Sequence, residues 1–230
     1  MEITVTNVPE KRASEEATEK MRQMAADRNQ AIAKWFDMEP VDLEVKLYFS
    51  TGQMRFLLDP NGEGTGVFGG YIEGQQAIHL AHPEPIAPIF GENLDKEMSV
   101  LADYALTKMY LTMKYFPEGH QFKIYYKYVA EYLAQLTSGS FKTSAVDFDI
   151  KMYPNKKPKK EIGVAIGLFL MHYYSGLAFI YEHLDTIMQD CDIYQSIHSI
   201  YHKTMDDLIA QYKREKESEQ KEMQQVKKNK

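Results

Sequence analysis

The sequence predicts an α+β fold in which an N-terminal helix and a small mixed or antiparallel sheet pack on a mainly helical C-terminal half. Three observations carry this. Residues 43–49 alternate Leu43, Val45, Leu47 and Phe49 with Glu44 and Lys46, the period of a half-buried strand. Residues 67–71 and 77–81 are short runs on either side of Glu73-Gly74, which reads as a hairpin. Further on, Ile162, Ile166, Phe169, Tyr173, Leu177, Ile180 and Leu184 recur at three and four residues, the period of a helix.

Taken in order, residues 1–9 read as a short extended segment closed by Pro9. Residues 13–36 read as a helix. Ser14 stands at its start, Glu15, Glu16 and Glu19 suit the positive end of its dipole, and Met21, Met24, Ala25, Ile32, Trp35 and Phe36 form its apolar stripe. After the strand at 43–49, residues 53–58 suggest a short helix closed by the turn-rich run 59–66, and the hairpin follows. Pro83, Pro85 and Pro88 are expected to prevent regular structure before Gly91. Residues 94–115 and 124–136 read as helices separated by Pro117-Glu-Gly119. Residues 146–152 alternate briefly, as a strand or extended loop would, and residues 153–160 read as a basic, proline-bearing loop in solvent. Residues 161–189 read as one long helix and 194–212 as a closing helix. The implied divisions are an N-terminal strand and helix at 1–40, an α+β domain at 41–212 and a charged, frayed tail at 213–230.

Composition is that of a globular chain, 44% hydrophobic and 26% charged, and 230 residues can bury a sizeable core. The formal charge of −6 divides into +3 on residues 213–230 and −9 on the rest. An acidic body disfavours a nucleic-acid groove, so no nucleic-acid partner is expected. The lone Cys191 excludes an internal disulfide, implies no catalytic thiol and fits a reducing, cytoplasmic setting. The first residues lack the basic start and apolar core of a secretory signal. Residues 162–181 carry no Asp, Glu, Lys or Arg and are long enough to span a bilayer. Their polar second face, with His172, Tyr173, Tyr174 and Ser175, favours a buried core helix instead, so no membrane partner is expected. Gly163 and Gly167 then mark the close approach of another element.

The order of strand, short helix, hairpin, long helix, helix and long helix over roughly residues 41–212 resembles the catalytic half of compact gluzincin-type zinc peptidases. In that family the hairpin leads into a helix carrying HExxH, whose two histidines one turn apart hold zinc while the glutamate acts as base. Laid on residues 94–110, those positions read Asp103, Tyr104 and Thr107; one residue earlier they read Ala102, Asp103 and Leu106. The third ligand, a glutamate in a run resembling Glu-Gly-Leu-Ala-Glu-Tyr, falls at Lys127 of Lys127-Tyr-Val-Ala-Glu-Tyr132. A protonated lysine offers no lone pair to zinc. The resemblance therefore implies a pseudopeptidase with no metal and no cofactor, binding a protein or peptide in a retained cleft. Asp103 and Lys127 occupy facing slots, so either they pair across the former metal site or they never meet. The alternative is a hydrolase or other enzyme using Asp103, Lys127 or Glu131 as acid and base.

Other constellations have simpler readings. His198 and His202 stand at i, i+4, the spacing a metal requires, but without an acid between them they read as surface histidines. His79 and His82 are expected on opposite faces of a strand, and His172 as a hydrogen-bonded core histidine. The Gly62, Gly64 and Gly66 cluster lacks the Gly-Lys-Ser/Thr ending of a phosphate loop. The abundant tyrosines suit cleft walls or a refilled core, the latter assigned to Tyr104.

Overall fold

The computed structural model describes residues 1–8, 14–58, 68–116, 124–153 and 160–228. The turn-rich run and glycine cluster at 59–66, Pro117-Glu-Gly119 and the proline-bearing stretch 154–159 lie outside the described residues. The fold is α+β, as expected, and the chain divides into two units: Met1–Phe122 with Leu133–Phe141, and Lys123–Tyr132 with Lys142–Lys230.

The first unit is built on a four-stranded sheet. Its strands are β1 (Ile3–Val8), β2 (Leu43–Tyr48), β3 (Gly69–Tyr71) and β4 (Ala77–Ala81), in the order β1-β2-β4-β3. β1, β2 and β4 run parallel, and β3 pairs antiparallel with β4 at the sheet edge. Helix α1 (Glu15–Trp35) connects β1 to β2, and Ser14 caps it by accepting a hydrogen bond from the Ala17 amide. Helix α2 (Thr51–Leu58) follows β2; α3 (Pro83–Phe90), a single 3₁₀ turn at Gly91–Asn93 and α4 (Leu94–Tyr115) follow β4. Alternation in β2 assigns the two faces: Leu43, Val45 and Leu47 are buried with Ile78 and Leu80 of β4, while Glu44 and Lys46 are half-exposed. Each such aliphatic side chain contributes about 1.5–3 kcal/mol by burial. A Cβ on Gly69 would lie 3.0 Å from Leu101 of α4, and one on Gly70 would lie 3.1 Å from Leu58 of α2. Successive strand residues face opposite sides, so α4 covers one face and α2 the other.

The prolines after His82 do not prevent a helix. Pro83 and Pro85 fall in the first turn of α3, where backbone amides have no partner within a helix. The His82 ring caps this helix, its Nδ1 accepting from the Glu84 amide at 3.2 Å.

The second unit is helical. It holds the first part of α5 (Ile124–Ser138), followed by α6 (Thr143–Met152), α7 (Lys160–Glu182), α8 (Leu184–Asp190), α9 (Ile193–Tyr201) and α10 (Met205–Lys228). Three expectations are corrected here. Residues 146–152 are helical, because their alternation is two i, i+4 pairs: Val146 and Ile150 are buried, whereas Phe148 and Met152 are exposed. The long helix ends early, since Gly176 (φ 83°, ψ 173°) leaves helical geometry and α8 starts only after His183. The closing helix breaks at His202 (φ 54°), and α10 begins with a capping box: the Thr204 hydroxyl accepts from the Asp207 amide while the Asp207 carboxylate accepts from the Thr204 amide. α10 continues through the charged tail to Lys228, with residues 217–226 exposed.

Among the described residues, α7 alone is long and apolar enough to cross a membrane, and half of its apolar stretch is buried. Gly163 and Gly167 admit α9 as expected. A Cβ on Gly167 would stand 2.3 Å from Ile193 Cγ1, while one on Gly163 would stand 3.1 Å from the movable Tyr194 hydroxyl. His172 is exposed on this helix rather than buried. Alanine at Gly167 is expected to cost about 1–3 kcal/mol despite alanine's better helix propensity, because Ile193 cannot retreat through its own β-branch. Alanine at Gly163 is expected to stay within about 0.5 kcal/mol of the parent; urea unfolding midpoints of the two variants check the contrast.

Candidate functional site

Asp103, on the inner face of α4, is 6% exposed. Its two carboxylate oxygens accept from Nε and Nη2 of Arg28 on α1, both at 2.6 Å. This side-on, two-point geometry is the strongest form of an Arg–carboxylate contact. Burial pushes the Asp103 carboxyl up from its ordinary value and Arg28 pulls it back; the Arg28 guanidinium is raised in turn by Asp103. The desolvation opposing this pair makes it a positional lock more than a large net source of stability.

The lock belongs to a longer seam. Tyr110 of α4 donates to the Asn29 side chain and accepts from the Val41 amide at 3.1 Å, and Asn29 donates to the Val41 carbonyl at 2.8 Å. Phe36 stacks on Tyr110, and Lys114 reaches the Phe36 carbonyl. At the open end, Lys20 pairs with Asp95, both well exposed. Contacts that advance together along both helices (20 with 95, 28 with 103, 36 with 110 and 114) show α1 and α4 running in the same direction on one sheet face.

The other positions compared with the zinc motif have these surroundings. Tyr104 is half-buried rather than a core filler; Lys108 lies 5.1 Å over its ring and 3.3 Å from its hydroxyl. Thr107 is fully buried, and its hydroxyl has no hydrogen-bond partner among the described residues. Lys127 is exposed on α5. Asp103 takes Arg28 as its partner, and Glu131 is half-buried two residues after Val129, which is fully buried. Both Asp103 oxygens are engaged by the Arg28 guanidinium, whose positive charge beside them opposes a cation, and neither a phenol nor a threonine supplies the imidazole that zinc prefers. Among the described residues, no three His, Cys, Asp or Glu side chains are grouped to hold a metal ion. His202 ends α9 in left-handed geometry, so it leaves the helix face that carries His198.

Sequence reasoning missed Arg28, although a signal was present. Arg28 sits within the stripe of Met21, Ala25 and Ile32, where a charged group demands an opposite charge from the element packed against it.

The sheet face opposite α4 holds a second polar group. His79 is 2% exposed, and its Nε2 meets Gln75 Oε1 at 3.0 Å while Nδ1 meets the Tyr48 hydroxyl at 2.9 Å. An amide oxygen only accepts, so Nε2 carries the proton and Tyr48 donates to Nδ1. Burial, helped by Lys46, lowers the His79 pKa to about 4.

A folded-state pKa below the ordinary value makes this contribution complete above about pH 6.5 and lost as the pH falls to about 4. Roughly 3 kcal/mol disappears across that window, and His79→Gln is expected to flatten that part of the pH profile in urea melts. On the seam, Arg28→Ala is expected to cost about 3 kcal/mol by leaving Asp103 buried and unpaired. Lys20→Ala, at the exposed pair, is expected to cost less than about 1 kcal/mol in the same assay.

No family model, curated protein or solved structure matches this chain.

Proposed function

We propose that this chain is a catalytically silent relative of the gluzincin peptidases, located in the cytoplasm, that acts by binding a protein or peptide. The observation that supports the reading is the engagement of Asp103 by Arg28, which commits the position compared with the first zinc ligand to an ion pair. The element order supports the kinship: β2, then the β3–β4 hairpin, then α4 bearing the compared positions. Peptide binding draws support from β3. It ends the sheet, and an edge strand offers backbone groups to which an extended segment can add. A depression of about 530 Å³ lies beside the turn after β3, lined by Tyr71, Glu73, Gln75, Gln76, Thr112 and Met113. The single cysteine supports a reducing compartment.

Elemental analysis of protein purified from zinc-supplemented cells, together with incubation on an unfolded protein substrate, tests the silent-peptidase reading. Substoichiometric zinc and no cleavage are expected. One zinc per chain that disappears in Asp103→Ala, with proteolysis lost in parallel, would overturn it.

A further inference from the structure

The sheet of the first unit has two edges, β3 and β1. β3 is short, whereas β1 runs over Ile3-Thr-Val-Thr-Asn-Val8 and, among the described residues, is paired on one side only, with β2. Edge strands are commonly blunted by a lysine, a proline, a bulge or an inward charge. Residues 3–8 carry none of these: Ile3, Thr4, Val5, Thr6 and Val8 are β-branched, and the register with β2 is unbroken from Ile3 to Val8.

Two hydrogen bonds fix the direction of the strand's backbone groups. The Leu43 amide donates to the Glu2 carbonyl at 2.9 Å, and the Phe49 amide donates to the Val8 carbonyl at 3.2 Å. Alternate residues of a strand turn their N–H and C=O to the same side, so positions 2, 4, 6 and 8 bond to β2 while Ile3, Val5 and Asn7 direct theirs away from the sheet. The side chains divide in the same way. Ile3, Val5 and Asn7 stand in register with the buried Leu43, Val45 and Leu47 on the face that α1 covers, where Asn7 donates to the Thr18 hydroxyl at 3.3 Å. On the other face Thr4 is exposed and Thr6 donates to the Glu44 carboxylate at 2.9 Å.

We propose that β1 is a self-association edge, pairing antiparallel with β1 of a second copy of this chain about a twofold axis through Val5. Such pairing keeps both sheet faces continuous only when opposed residues have the same parity. An axis at Val5 meets that condition and engages every outward-directed residue: Val5 opposes the partner's Val5, and Ile3 opposes the partner's Asn7. Moving the axis to Thr6 would instead set Ile3 against a proline, Pro9, which has no amide to donate. On the open face Thr4 then stands opposite the partner's Thr6, a favourable cross-strand pair. The occupant is a second copy because this register makes the edge its own complement, with each contact repeated by the axis. Residues 3–8 are uncharged, so like edges do not repel and no opposite charge selects a different chain. One such edge per copy closes the assembly at two.

The test is sedimentation velocity of the full chain from about 1 to 200 µM, a range that covers small interfaces, with amide hydrogen exchange followed at both ends of it. A reversible shift from 26.7 kDa to twice that mass is expected. The amides of Ile3, Val5 and Asn7 are expected to exchange at least about tenfold more slowly in the dimer. Val5→Pro removes an outward amide and no bond to β2, so it is expected to weaken dimerisation at least about tenfold while the urea midpoint changes little. Thr4→Glu, which brings a carboxylate towards the partner's Glu44, is expected to weaken it similarly, whereas Thr4→Val keeps the dimer. The exchange measurement uses the unmodified chain and does not depend on how the variants fold. A monomer across the whole range, growth beyond two copies, or a dimer in which the amides of residues 3, 5 and 7 exchange as in the monomer would overturn the proposal.

Discussion

The first unit turns on the guanidinium of Arg28 and the carboxylate of Asp103, two charges carried to the interface of α1 and α4. α1 stands between β1 and β2, and α4 follows β4, so this one contact ties the beginning of the unit to its last long helix. Asn29 and Tyr110, both buried, continue the tie to the Val41 backbone. Each buried donor and acceptor there has a partner, which makes α4 rigid in rotation as well as position. Rotating α4 to free Asp103 would uncover a buried charge and unstack Phe36 from Tyr110.

Under the proposed reading, that rigidity bears on function. A metal ligand has to point into a cleft with a lone pair available, and Asp103 points at α1 instead. Tyr104 and Thr107 lie on the same helix without supplying a ligand in its place. α4 then works as a wall of the sheet and as a partner of the β3 edge, where Gly69 lets Leu101 come close. Binding at such an edge uses backbone groups and shallow side-chain contacts, which demand no reactive residue.

Much of the fold was legible in the sequence where one face is buried and the other wet. β2 declared itself by alternation, α1 by its cap and its apolar stripe, and the close approach of some other element to α7 by Gly163 and Gly167, with its identity as α9 left to the structure. The errors have separate physical causes. Residues 146–152 alternate in polarity because helix pairs at i, i+4 sit on two faces, and a short window cannot separate that from a strand. Prolines in the first turn of α3 obstruct nothing, since their missing amides would be unpaired there. The break before α10 was marked by Thr204 and Asp207, a capping box inside an apolar-periodic stretch. Of the candidate site, Asp103 stood out in the sequence and Arg28 did not. An ion pair spanning two helices far apart in sequence has no local pattern, only the misfit of a charge in an apolar stripe.

A double-mutant cycle on Arg28 and Asp103 measures the central contact directly, using Arg28→Met, Asp103→Leu and the pair, with stability from urea unfolding. A buried two-point pair predicts a coupling of about 2 kcal/mol or more, with the double variant less destabilised than the sum of the singles. Coupling within about 0.3 kcal/mol of zero would mean that Asp103 is not held by Arg28, and the closed ligand position would lose its basis.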